Sequence, residues 1–184
     1  MRKKIIGAVL ALFCVAVAVS CERGTQSPGP SVDVTRAALD AALVATLAES
    51  REVDFPEKIR FDALRFRHGA GLGIDGRARF FDPTTGTYPP PDIRFFGSVP
   101  LGWWRVEDGV MKIKLASVDG IDPIPGGADP TSQLAGRTRD SLSTGIGDLL
   151  SRMSFPTGQD PNRRWIIGSA RNTPEAIRFE LRLR

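Results

Sequence analysis

Few side chains in this sequence are equipped for chemistry, and the best placed is a thiol. Cys21 follows the small or apolar residues Ala18, Val19 and Ser20 and precedes a polar run, ERGTQSPGP. As a thiolate it is the strongest nucleophile in that stretch, open to alkylation by an activated donor. The other cysteine, Cys14, lies inside an apolar segment, and His68 is the only imidazole. A lone His at a strand end is more often hydrogen-bonded or solvated than catalytic, and no His/Cys cluster has metal-ligand spacing. Asp119 and Asp122 sit in DGIDP, which lacks the alternating oxygen ligands of a calcium loop and reads as a turn. GLGIDG at 71–76 fits G-x-G-x-x-G, but a dinucleotide site needs that run between a strand and a helix. Here RARFF continues the alternation, so the glycines read as a closely packed strand. No G-x-S-x-G occurs. The expectation is a non-enzymatic protein with no catalytic residue, no metal and no cofactor.

The segment before Cys21 gives the thiol its context. Residues 1–4, MRKK, make a cationic head, and residues 5–19 are apolar or small throughout. That stretch has the length of a signal-peptide core and falls short of the roughly 20 apolar residues a spanning helix needs. Ala18-Val19-Ser20-Cys21 resembles a bacterial lipobox. The resemblance implies a diacylglyceryl thioether on Cys21, cleavage before it, and acylation of the new amine, commonly with palmitate. An ordinary signal peptide with Cys21 incidental, and a retained anchor, are the less favoured alternatives. Several chains on one Cys would hold the protein firmly, where one chain gives only marginal binding. Residue 22 is Glu rather than Asp. By similarity to enterobacterial sorting, this favours the outer membrane, facing the periplasm of the cell envelope.

Removing residues 1–20 changes the electrostatics. The chain has 25 basic and 21 acidic side chains, and losing Arg2, Lys3 and Lys4 leaves 22 against 21. The high isoelectric point is then no argument for nucleic acid as a partner. Cys14 leaves as well, so Cys21 has no intramolecular disulfide partner. Stability must come from a core, and a chain of this length is enough for one domain.

Three regions follow: a signal peptide (1–20), an acylated Cys with a Gly/Pro-rich flexible tether (21–30), and one α+β domain (31–184). A helix capped by Asp33 or Thr35 carries Leu39, Leu43 and Leu47 at four-residue spacing. Strands follow over 59–68, with a bulge expected near Asp62-Ala63, and over 70–80, where Leu72 and Ile74 share a face. Residues 82–92, rich in Pro, read as a loop, and 93–99 as a strand. Residues 103–118 read as a hairpin turning at Asp108-Gly109, with Met111 and Ile113 inward. Residues 117–129 read as turns. A second helix is expected to start from Asp129 with Pro130 at its first position. Its stripe runs through Leu134, Leu142, Ile146, Leu149, Leu150 and Met153, with glycines suited to bending or close approach. Strands over 164–170 and 177–183 close the chain, with Phe179 inward. The expected order is helix, four strands, helix, two strands, in a mostly antiparallel sheet. In the pair Trp103-Trp104 one ring must face opposite to the other, giving one core ring and one at the surface or a cavity mouth.

The order of these pieces resembles the YceB-like bacterial lipoproteins: an acyl-Cys, a tether, an amphipathic helix, the WWRVEDG–VMKIKLASV unit at 103–118, the helix LSTGIGDLLSRM and a final amphipathic strand. The resemblance implies a strongly curved antiparallel sheet wrapped around an amphipathic helix, similar to half of a tubular lipid-binding module, and no catalytic residues. It makes Leu43, Leu72, Ile74, Trp103, Met111, Ile113, Leu142, Ile146 and Phe179 candidate linings of a groove for a hydrophobic or acyl-chain ligand. Such a groove would accept a side chain at Gly145. The alternative is a structural or protein-interaction lipoprotein with a filled core, whose protein partner the sequence does not name.

Overall fold

The computed structural model describes residues 29–54 and 57–184, so the signal segment and Cys21 lie outside the described residues. The architecture is α+β with antiparallel pairing throughout. Strand β1 (Ser31–Thr35) leads directly into helix α1 (Arg36–Glu49), whose N-cap is Thr35: its Oγ1 accepts the Ala38 N–H at 3.1 Å. Leu39 and Leu43 are buried, while Leu47 is half-buried.

A five-stranded sheet follows, in the order β2 (Glu52–Val53), β3 (Ile59–His68), β4 (Leu72–Phe80), β5 (Ile93–Ser98) and β8 (Ser117–Asp122). The register of β3 against β4 slips between Phe61 and Ala63, where the sequence calls for a bulge. The slip puts Ile59, Phe61, Leu64 and Phe66 on one buried face. Gly73 and Gly76 of the G-x-G-x-x-G run pair within the sheet, and the Phe95 ring covers Gly76 so closely that a Cβ there would strike it. Gly71 lies just before β4 with open space around it, and the element after β4 is a strand, so the run lacks the strand-to-helix setting of a dinucleotide site.

Strand β6 (Trp104–Glu107) and β7 (Val110–Ile113) form a hairpin whose Asp108 and Gly109 both have positive φ, 50° and 75°. Short β9 (Phe155–Pro156) pairs with β7 to make a three-stranded sheet. A second three-stranded sheet has the order β1-β11-β10, from β10 (Trp165–Asn172) and β11 (Ala176–Leu183). Three sheets thus stand where one was expected. β8 is a correction to the turn-rich reading of 117–129. SVDGID has weak strand propensity, but pairing with β5 and the bond from Val118 N–H to Ser143 Oγ, 2.9 Å, override it. β1, β2 and β9 are further strands that the sequence did not reveal.

Helix α2 (Gln133–Ser151) starts later than expected. Asp129 takes the Thr131 N–H at 2.7 Å in a local turn, and Ser132 caps the helix, accepting from Ala135 N–H at 3.2 Å. Leu134 is 48% exposed and does not belong to the buried stripe. Eight residues before Leu142, it sits about 80° around the helix from it. From Ala135 to Leu150 the inner face is buried, and Gly147 lets the helix lie against residues 114–116. α2 reaches β2, β8 and β7, and so joins two sheets.

Candidate functional site

The candidate groove residues come together, but as a packed interior. Leu43, Leu72, Ile74, Met111, Ile113, Leu142, Ile146 and Phe179 all belong to one core cluster, none more than 5% exposed. They leave almost no surface open, either to solvent or to an internal void wide enough for water. Trp103 stands apart. It ends a short 3-10 turn, Leu101–Trp103, and is 47% exposed, whereas Trp104 is 1% exposed. Trp104 is the core ring of the pair, 4.8 Å from Phe179 and 5.6 Å from Phe155 between ring centroids. Gly145 does not border a space either. A Cβ on it would lie 3.0 Å from Val53 Cγ2 and 3.3 Å from Ile59 Cδ1.

The opposite face of the five-stranded sheet is open. Its side chains follow from parity: Arg65 and Arg67 on β3, Asp75 and Arg77 on β4, Arg94 and Phe96 on β5. Around them is a depression of about 740 Å³ that runs from Leu47 and Arg51 to Phe96. Phe96 is 53% exposed, and its ring lies across Gly120 of β8, where a Cβ would collide with it. Arg77 and Arg94 sit directly opposite one another, a like-charge pairing that costs stability unless something screens it. Arg77 has Asp92 at 3.9 Å; Arg94 makes no ion pair among the described residues, although Asp122 of β8 is its cross-strand neighbour on the other side.

The rest of this face is tied down. Arg79 holds Asp62 through two guanidinium nitrogens at 2.6 and 2.9 Å, and also reaches the Tyr88 carbonyl and Asp92. The Arg79 hydrogen bonds hold the Asp62 carboxyl below the ordinary carboxylate range, against the opposing effect of burial. These contacts pin the Pro-rich loop to the sheet. Tyr88 is half-buried there beside Phe81 with its hydroxyl enclosed, and desolvation pushes that hydroxyl up to about 12.

His68 Nε2 lies 3.1 Å from both Asp40 oxygens, which fastens the end of β3 to α1. Among the described residues no hydroxyl is hydrogen-bonded to His68, no group of three His, Cys, Asp or Glu is placed to hold a metal ion, and no helix is long and apolar enough to cross a membrane. Phe96 and Arg94 escaped the sequence reading, although a signal existed. In IRFFGS the consecutive Phe95 and Phe96 cannot both face inward in a strand. Comparisons with protein-family models, curated proteins and solved structures returned no match.

Proposed function

We propose that this chain is a lipid-anchored protein of the bacterial cell envelope, acylated at Cys21, whose domain acts through its surface as an interaction module. The supporting observation is the closed interior: the side chains suited to line an acyl groove are packed against one another, and Gly145 has no spare room. A carrier of a hydrophobic ligand needs a concavity lined by such groups. The reading shifts recognition to the outer sheet face, where Phe96 offers an apolar anchor flanked by Arg77 and Arg94. Aromatic and arginine side chains of this kind are enriched among residues that dominate protein interfaces. The partner would bring acidic groups to the two arginines.

The kinship to YceB-like lipoproteins, the position in the outer membrane and the sheet curved around a helix belong to the same proposal. What supports the last is α2, which touches strands of two sheets. A photo-crosslinking residue at position 96, in the full chain expressed in its native envelope, tests the interaction. One discrete adduct, lost when Arg77 and Arg94 are both changed to Glu, is expected. Equal labelling with and without those charges would overturn the role of this face.

A further inference from the structure

The end of the domain from which the chain leads back to Cys21 has a character of its own. β1 runs antiparallel to β11, with Ser31 opposite Glu180. One residue earlier, the Pro30 carbonyl accepts the Leu181 N–H at 2.9 Å. Gly29 lies against the Leu181 carbonyl, where a Cβ would not fit. The backbone therefore points from Gly29 past the last residues of β11. Gly29 is eight Cα–Cα steps from Cys21, and at full extension those steps reach about 28 Å. An anchor at Cys21 would keep this end of the sheet within that distance of the bilayer.

The residues found there have the composition of an interfacial surface. Leu183 has the inward parity of β11 but lies beyond the core and is 51% exposed. Trp165 is directly opposite it on β10 and is only partly covered. Arg164 and Arg184 join at the same point, through the Arg184 N–H to the Arg164 carbonyl at 2.9 Å. The aliphatic stem of Arg182 lies over Gly168 and leaves the guanidinium free at the outer surface. No ion pair among the described residues involves Arg164, Arg182 or Arg184. Two of the nearby acids are engaged, Asp160 with Arg163 at 3.7 Å and Glu107 with Lys114 at 2.7 Å, while Asp108, on the same depression as Arg164 and Arg184, makes no ion pair among the described residues. Trp165 and Leu183 on one face of this strand end, with unpaired arginines of the opposite parity at the same tip, bring apolar groups and cations together at the sheet's end, the combination that interfacial segments use at headgroup depth.

We propose that this end of the β10-β11 sheet is a second membrane contact, docking on anionic phospholipid headgroups through Arg164, Arg182 and Arg184, with Trp165 and Leu183 against the interface. The proposal rests on the anchored reading for its orientation, since Cys21 sets which end faces the lipid. Docking would make attachment a two-signal event in which the headgroup contact fixes the domain's attitude.

The test uses the full chain as processed in cells, incorporated into vesicles whose acyl chains are brominated. One set is phosphatidylcholine alone; the other is an equimolar mixture with phosphatidylglycerol. Flotation on phosphatidylcholine reports the anchor, and quenching of Trp165 emission, taken as the difference from a W165F chain, reports docking. The expected result is flotation on both, with quenching at least about twofold stronger on the anionic set, as a surface cation's affinity for anionic lipid requires. The triple variant R164Q/R182Q/R184Q should still float but lose that excess. Flotation with Trp165 unquenched, or quenched equally on both sets, overturns the docking while leaving the anchor intact. No flotation on phosphatidylcholine would mean that the anchor has failed. In that case binding to the anionic vesicles that the triple variant loses still supports docking, and its absence overturns it.

Discussion

Gly145 of α2 and Val53 of β2 are in such close approach that a Cβ on the glycine would stand 3.0 Å from Val53 Cγ2. Ile59 and Phe61 close the same spot at 3.3 and 3.5 Å. A fourth carbon has nowhere to go without moving the helix off the sheet. Gly145→Leu should therefore destabilise the domain by about 1–3 kcal/mol, the usual cost of overpacking, despite its better helix propensity. Urea denaturation of the mature chain measures this. An unchanged midpoint would mean that the core has slack which the packing does not suggest.

The tryptophan pair separates core from surface in adjacent residues. Trp104 is enclosed by Phe155 and Phe179, whereas Trp103 is 47% exposed. Trp104→Ala should cost about 3–5 kcal/mol, as large-to-small changes in cores do. Trp103→Ala should change stability by no more than about 0.5 kcal/mol. Comparable losses at both positions, measured by the same denaturation, would contradict the burial assigned to the pair.

Acid should weaken the fold through specific carboxylates. Hydrogen bonds from Arg79 lower the Asp62 pKa, and those from Arg178 lower that of Asp33 across the β1-β11 pair. A carboxylate whose folded pKa is depressed adds stability above its unfolded pKa of about 3.9 and loses it as pH falls through the folded value. Stability should be nearly level from neutral pH to about 5 and decline below about 4. Asp62→Asn should flatten part of that decline while lowering stability at neutral pH. A thermal-melt series over pH 2–7 checks both, and an unaltered acid limb in the variant would remove Asp62 from the explanation.

Much of the fold can be read in the residues because local pattern and tertiary packing agree. The four-residue leucine spacing of α1, the bulge beside Asp62, the Asp108-Gly109 turn and the alternation of β11 are each settled by neighbours in the chain. What escaped depends on distant partners. β8 is a strand because β5 and Ser143 supply bonds that SVDGID does not announce. β9 is two residues against β7, and β1 is held by β11 from the other end of the chain. The candidate site was legible as a set of inward residues, since parity and helical phase identify them. Whether they enclose a void depends on distances between elements, such as the one at Gly145, and no periodicity encodes that. The exposed Phe96 and the half-buried Trp165 were in view as residues but had no visible surroundings.

Processing at the thiol should be sensitive to a single atom. Cys21→Ser keeps size and polarity but removes the nucleophile that accepts the lipid. The variant should accumulate as uncut precursor or soluble protein, and metabolic labelling with a palmitate analogue should fall to background. Mature-sized, labelled protein in the membrane fraction of the variant would show that attachment does not run through Cys21.

The most direct measurement is native mass spectrometry of the mature chain released gently from its membrane. A closed core on a lipid anchor predicts one species, beginning at Cys21 and carrying covalent acyl mass, with no further fatty acid or phospholipid bound at defined stoichiometry. A stoichiometric, non-covalent acyl ligand that survives exchange of the detergent would contradict the closed core and restore the groove.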